Sequence, residues 1–239
     1  MKLHLINRKS YLVTGLPVFH TGIKACNQNI EAVLSEKKLQ LQAKRIFDIV
    51  VSSLLIILFG PLLMAVAIVI KLTSKGNILY SNERVGLNGA QFRCFKFRSM
   101  VADQSIKADH AVALAGQEKG ILHKVKGDSR ITWIGKIIRK TSVDELPQLF
   151  NVLKGDMSII GPRPLVPFML THLPEFKATR CLVRPGITGL WQIRDRINNT
   201  SAEFMIEHDT EYIREYSLLL DIKILLKTPL VVLTGEGAY

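Results

Sequence analysis

One apolar run dominates the hydrophobic pattern of the chain. From Ile46 to Ile70 nearly every position is apolar, and Asp48 is the single charge. The 22 residues from Ile49 to Ile70 are uncharged, so a straight helix over them would reach roughly 33 Å, enough to cross a bilayer core. Gly60-Pro61 interrupts the run: Pro61 offers no N–H, and its ring collides with the carbonyl of Ile57. Lys37, Lys38, Lys44 and Arg45 precede the run and Lys71 and Lys75 follow it, so the positive-inside rule assigns no orientation. A spanning helix and a helix–break–helix that enters and leaves one leaflet both fit the length. The second also accounts for the proline and the two basic flanks, with Ser52 and Ser53 as candidate partners for the freed backbone groups.

Elsewhere the periodicities are shorter. Ile30, Val33 and Leu34, set among charges, predict a small amphipathic helix leading to Lys44-Arg45. Residues 78–86 and 92–98 flank Asn88-Gly89, a strong hairpin signal, and the period of two puts Lys96 and Arg98 on one face. Residues 101–127 show no firm pattern, and His110 and His123 read as surface residues. A short helix from Lys136 to Lys140 then delivers Arg139. Ser142 with Glu145 reads as a capping box, Leu146, Leu149, Phe150 and Leu153 as an apolar stripe, Pro147 as a first-turn proline, and Gly155 as the stop. After a turn at Gly161-Pro-Arg-Pro164 and a helix-like stretch around Phe168, residues 184–191 form a loop. Thr200 and Glu203 open another helix, with Met205, His208, Tyr212, Tyr216 and Leu219 on one stripe and His208 as a core histidine. Residues 218–226, relieved by Asp221 and Lys223 and stopped by Pro229, have the pattern of an interfacial helix.

Composition changes this picture in two ways. The chain has 239 residues, 48% hydrophobic and 22% charged, which suits one soluble domain joined to a membrane segment. Its formal net charge of +12 favours anionic partners. No nucleic-acid module is recognisable, so a lipid surface and phosphorylated substrates lead. Cys26, Cys94 and Cys181 are far apart and read as reduced thiols, Cys94 within the core. There is no zinc spacing, Walker loop, Ser-His-Asp order, dinucleotide fingerprint or internal repeat.

Candidate chemistry concentrates at Asp144 and Glu145. Neighbours on a helix point about 100° apart, so the cap can occupy one of the two, and Glu145 fits it. Arg139 and Lys140 lie just upstream, Lys154 and Arg163 just downstream. Carboxylates at a helix N-terminus ringed by cations suit phosphate chemistry: Arg163 can grip phosphate, and a carboxylate can hold Mg²⁺ or attack phosphorus. Spacing alone is equally served by a helix cap followed by a turn. Arg184 and Trp191 have the same two readings, nucleotide recognition or packing.

The segment Ser142-Val-Asp-Glu-Leu-Pro-Gln, then Asn151-Val-Leu-Lys-Gly-Asp-Met-Ser, then Gly161-Pro-Arg-Pro, resembles the signature of the bacterial sugar transferases, the monotopic polyprenol-phosphate phosphoglycosyl transferases. The likeness extends from about Lys44 to Tyr239 and includes Glu-Arg-Val-Gly86 and Lys96-Phe-Arg-Ser-Met100. Where some relatives carry Ser-Pro at the membrane break, this chain has Gly60-Pro61.

The resemblance implies a mixed α+β, mostly α-helical, monotopic membrane protein. Residues 1–40 would be an extension, 41–75 a re-entrant membrane hairpin broken at Gly60 and Pro61, and 76–239 a cytoplasmic catalytic domain with C-terminal interfacial helices. It implies transfer of a hexose-1-phosphate from a UDP-sugar to undecaprenyl phosphate at the cytoplasmic face of a bacterial inner membrane, beginning a surface polysaccharide such as an exopolysaccharide. Asp144 would be the nucleophile, Asp144 and Glu145 would hold Mg²⁺, and Arg139, Arg163, Lys96, Arg98 and Arg184 would bind substrate phosphate. Anionic lipid is the further partner expected, nucleic acid is not, and a homo-oligomer remains compatible. A non-catalytic membrane scaffold for polysaccharide assembly, or a peripheral protein binding anionic lipid or nucleic acid through its charge, are the competing classes.

Overall fold

The computed structural model describes residues 30–101, 130–171, 173–194 and 202–234. Most of the expected N-terminal extension, His110, His123 and the Thr200 cap lie outside the described residues. The helices are α1 (Lys38–Thr73), α2 (Trp133–Lys140), α3 (Gln148–Lys154), α4 (Pro174–Arg180), α5 (Leu190–Arg194), α6 (Ala202–Arg214) and α7 (Leu218–Thr234). The strands are β1 (Leu79–Val85), β2 (Gln91–Phe97), β3 (Ser158–Ile160) and β4 (Gly186–Thr188). The mixed, mostly helical class expected from the sequence is what folds.

The apolar run becomes α1, 36 residues long, a length of about 54 Å if straight. Among the described residues it is the one helix long and apolar enough to cross a membrane. The chain stays helical through Gly60 and Pro61, so the expected break does not divide the element. A proline forfeits one donor, and the turns around it keep theirs. Ser52 does not serve the freed carbonyl at Ile57. Its hydroxyl donates to the carbonyls of Asp48 (2.6 Å) and Ile49 (3.2 Å), the acceptors within reach of a helical serine.

Both ends of α1 are fastened to the same globular body. Helical residues 30–36 lead into it and bury Ile30 and Leu34. Near the start, Lys44 sits 2.7 Å from the carboxylate of Asp221 in α7, and Arg45 donates to the carbonyls of Val152 (2.6 Å) and Leu153 (2.8 Å) at the end of α3. Asp48, the lone charge of the run, is buried and satisfied: Oδ1 accepts from Ser158 Oγ and from the Ile159 N–H, each at 3.0 Å. Buried carboxylates need such partners. At the far end Val66 and Ile70 pack with Phe97 of β2 and with Ile134 and Ile138 of α2. Each fully buried aliphatic chain there is worth about 1.5–3 kcal/mol. Between the two anchorages, Leu54, Ile57, Leu58 and Met64 are exposed by 61–75%.

The hairpin forms as the Asn88-Gly89 signal predicts. β1 and β2 pair antiparallel with Val85 opposite Gln91 and Tyr80 opposite Lys96, and the turn uses positive φ at Asn88 and Gly89. β3 and β4 pair in parallel, Ser158 with Gly186 and Ile160 with Thr188. Where their ends cross, the backbones are so close that a Cβ on Gly186 would lie 2.1 Å from the Gly161 nitrogen. The main core joins α1, α3, β3 and the stretch from Tyr212 to Ile224.

Four local expectations change, the first being that residues 184–191, expected as a loop, hold β4 and the start of α5. The capping box does not form: Ser142 has φ 57° and makes no capping bond, Val143–Glu145 is a 3-10 turn, and α3 starts after Pro147. The left-handed turn at Ser142 separates its hydroxyl from the helix it was expected to cap. Gly155 does stop α3, at φ 96°, donating to the carbonyls of Asn151 and Val152. The stripe continuing to Leu219 is cut, because α6 ends at Arg214 and Leu219 lies exposed on α7. Pro229 does not stop α7, which runs on to Thr234, and Asp221 faces the core, where Tyr212 donates to it at 2.8 Å. His208 is buried, as expected, with Nδ1 3.0 Å from the Phe204 carbonyl oxygen. Cys94 is buried too.

Candidate active site

α2 delivers the chain to the acidic pair. Thr132 caps this helix, its hydroxyl accepting from the Gly135 N–H at 2.9 Å. Arg139 lies in its last turn, half-buried, and its carbonyl accepts from the Ser142 N–H at 3.2 Å. The left-handed Ser142 then turns the chain into Val143–Glu145. That 3-10 turn buries Asp144 to 9% exposure and holds Glu145 beside β2.

Cations gather around Glu145. Lys96 Nζ is 2.6 Å from Oε1, and Arg163 Nη2 is 3.5 Å from the same oxygen. Arg84 lines the same small cavity with Cys94, Gln148 and Ile187. Burial pulls the Arg84 pKa down, and the nearby positive charge of Arg163 adds to this. The Cys94 thiol is pushed up, first by burial, so it stays protonated and inert. Arg163 also lies over Trp191, its Cζ 5.8 Å from the ring centroid, within cation–π range. Cations crowded this closely repel one another, which an anionic ligand of more than one charge would relieve.

The other expected phosphate ligands are elsewhere. Arg98, just beyond β2, is buried and turns to the end of α1. Its Nη2 reaches the Ile70 carbonyl (3.3 Å), the Ser74 carbonyl (2.8 Å) and the Ser74 hydroxyl (2.8 Å). A helix C-terminus offers unpaired carbonyls that attract a guanidinium. Arg184 is drawn by the same chemistry to the end of α3, where Nε donates to the Gly155 carbonyl at 2.9 Å. Arg45 is its neighbour there, and burial followed by that charge lowers the Arg184 pKa. Lys96 and Arg163 are therefore brought together with Glu145, while Arg98 and Arg184 cap helices.

Arg84 was absent from the sequence expectation, although a signal existed. A turn at Asn88-Gly89 sets the register that puts Arg84 opposite Phe92 and Tyr80 opposite Lys96; with a period of two, Arg84, Cys94 and Lys96 then share a face. As for a metal, no group of three or more His, Cys, Asp or Glu side chains gathers among the described residues. Glu145 lines the cationic cavity and Asp144 is its neighbour in the same turn; one or two carboxylates together with substrate phosphates are the donor set Mg²⁺ uses. The pair does not fit a zinc cage.

Residues 39–235 match the family model described as bacterial sugar transferase. An uncharacterised sugar transferase of Haemophilus influenzae is 44% identical over 241 residues, covering 94% of this chain and 49% of that protein. The undecaprenyl-phosphate galactose phosphotransferase of Salmonella typhimurium is 39% identical over 245 residues, covering 95% and 50%. The UDP-glucose:undecaprenyl-phosphate glucose-1-phosphate transferase of Caulobacter vibrioides is 41% identical over 204 residues, covering 82% and 72%. The chain thus spans about half the length of the first two relatives. With the family model covering residues 39–235 and relatives about 40% identical across most of the chain, the chain belongs to the bacterial sugar transferase family.

Proposed function

We propose that this chain transfers a sugar-1-phosphate from a UDP-sugar to undecaprenyl phosphate, releasing UMP, in the first membrane step of a surface polysaccharide. The observation that carries the reading is the Asp144–Glu145 turn set beside Lys96, Arg163 and Arg84, in a chain of this family. The relatives' names point to galactose in one case and glucose in another, so the hexose is left to a substrate panel.

The chemistry proceeds in two displacements. A carboxylate oxygen of Asp144 attacks the phosphorus that bears the sugar, and the bond from that phosphorus to the UMP oxygen breaks. UMP leaves with the electron pair. A phosphate oxygen of undecaprenyl phosphate then attacks the same phosphorus, and the bond to Asp144 breaks. Lys96 and Arg163 hold the diphosphate oxygens and stabilise charge as it shifts to UMP; Arg139 is a third candidate for this task. Mg²⁺ bound at Asp144 and Glu145 would offset diphosphate charge. Glu145 is held by Lys96 and Arg163, and the attacking role of Asp144 is the one the family signature implies.

The membrane arrangement is part of the same proposal. Residues 41–75 dip into the cytoplasmic leaflet of the inner membrane and return, and Pro61 is where such a helix bends. In support, Lys44 near one end and Ile70 near the other are both bonded to the globular body, while the middle of α1 is apolar and exposed. A spanning helix could offer only one end to a body on one side. Leu219, Ile222, Leu226 and Leu230 of α7 are exposed and suit an interfacial helix on anionic lipid.

The test is UMP release from a panel of UDP-sugars with undecaprenyl phosphate and Mg²⁺. Release that depends on a UDP-sugar, with the phosphosugar recovered on lipid, supports the proposal. No release from any sugar in a folded, membrane-inserted protein would leave the scaffold reading in its place.

A further inference from the structure

The segment Gly161–Pro164 carries Arg163 into the site, and two guanidinium groups hold its backbone. Arg84 Nη1 donates to the Pro164 carbonyl at 3.2 Å. Arg180, at the end of α4, donates from Nη2 to the carbonyl of Arg163 itself. Arg180 is only 6% exposed. Its Nη2 is also 3.2 Å from Asp209 Oδ2 on α6, and its guanidinium lies 5.1 Å from the Phe176 ring centroid. Asp209 is equally buried. Neither Arg180 nor Asp209 lines the cavity around Glu145.

Placing two charges out of water is costly, and a well-packed apolar pair would serve the core as well. What an apolar pair could not do is donate a hydrogen bond to the Arg163 carbonyl. Fixing the backbone at the root of a long side chain narrows the positions its tip can sample. Arg163 must meet two conditions at once, closeness to Glu145 and contact with the Trp191 ring.

We propose that Arg180, locked by Asp209, is a positioning residue that sets the Arg163 guanidinium between Glu145 and Trp191, where the substrate phosphate is gripped. The identity of that phosphate rests on the transferase reading above; the clamp itself does not. The simpler account is that the pair only braces α4 against α6.

Trp191 gives the test a local reporter, because the chain has two tryptophans and Trp133 is exposed. In the full chain carrying Trp133→Phe, held in phospholipid nanodiscs, fluorescence reads Trp191 alone. The paired replacement Arg180→Met with Asp209→Leu removes both charges, so no buried ion is stranded. With the clamp removed, Trp191 emission and acrylamide quenching should move to the values of an Arg163→Gln reference. KM for the UDP-sugar should rise about ten-fold with kcat changed less, as for a lost charge-assisted phosphate contact. Asp209→Asn, which keeps the shape and one acceptor, supplies a second reading in the same direction if the apolar pair fails to fold. A folded variant with altered melting temperature but unchanged Trp191 signal and unchanged KM means the pair is only a brace, and the proposal falls. A Trp191 response in a protein that turns over no UDP-sugar supports the clamp and removes the transferase reading instead.

Discussion

The ammonium of Lys96 and the carboxylate of Glu145 meet at 2.6 Å, joining β2 to the turn that precedes α3. The two side chains keep 21% and 17% of their surface in contact with solvent, so the pair contributes little to stability, about 1 kcal/mol at most. Its value lies in holding a cation and an acid beside one cavity. Lys96→Ala should therefore leave the melting temperature nearly unchanged and lower kcat/KM by about 10²-fold, the cost of losing one charge-stabilising donor. Steady-state UMP release alongside thermal melts checks both halves.

Asp144→Asn separates chemistry from folding. Asn caps nearly as well as Asp, so a purely structural role for Asp144 predicts near-normal activity in this variant and a chemical role does not. The variant should fold and lose turnover. Substantial activity in Asp144→Asn would make the covalent route wrong.

The covalent route also fixes the order of events. UDP-sugar and Mg²⁺ without acceptor should release UMP in an amount set by the enzyme, with one hexose-phosphate on the peptide containing Asp144. Hydroxylamine should strip it, and varying both substrates should give ping-pong kinetics. Intersecting plots, with no adduct and no UMP before acceptor, would demote Asp144 to a metal ligand.

The two anchored ends of α1 predict its topology. Lys44 is a poor probe because it is buried against Asp221, whereas Lys38 and Lys75 are exposed. Cysteines at 38 and 75, in a background without the native three, should both be protected from an impermeant thiol reagent on intact cells. Labelling of one site alone means a spanning helix. Pro61→Leu restores a donor and removes the ring clash, and should shift the population towards spanning.

Lys44 and Asp221 invite a double-mutant cycle. Lys44→Met alone strands a buried carboxylate and should destabilise the protein by about 3–5 kcal/mol. Adding Asp221→Leu should recover most of that loss. Denaturant titration in detergent measures the coupling.

Asp209 predicts a pH dependence of known sign. Burial raises its carboxyl to about 6, against the opposing pull of Arg180 and His208. The folded state thus holds a proton between roughly pH 4 and 6 that the unfolded state has already released, so this residue makes stability fall as pH rises through that window. Above about pH 6 both states are ionised and the slope ends. In Asp209→Asn the melting temperature should lose this downward component, measured from pH 4 to 7.

The sequence by itself determined the elements whose causes are local. An uncharged run of 22 residues must be a helix wherever it lies, Asn88-Gly89 imposes a hairpin, and Gly155 alone meets the positive φ that ends α3. The Asp144–Glu145 signature, too, was legible as a string. Tertiary structure decided where each charge is used, because a side chain's partner is chosen by distance in space. Lys96 and Arg98 share a strand face, yet one reaches Glu145 and the other the open carbonyls of α1. Arg184 is taken by the end of α3, and the unnoticed Arg84 and Arg180 come to hold the backbone beside Arg163. Helix ends and buried carbonyls compete for guanidinium groups as strongly as substrates do, and only the folded chain shows which of them lies within reach.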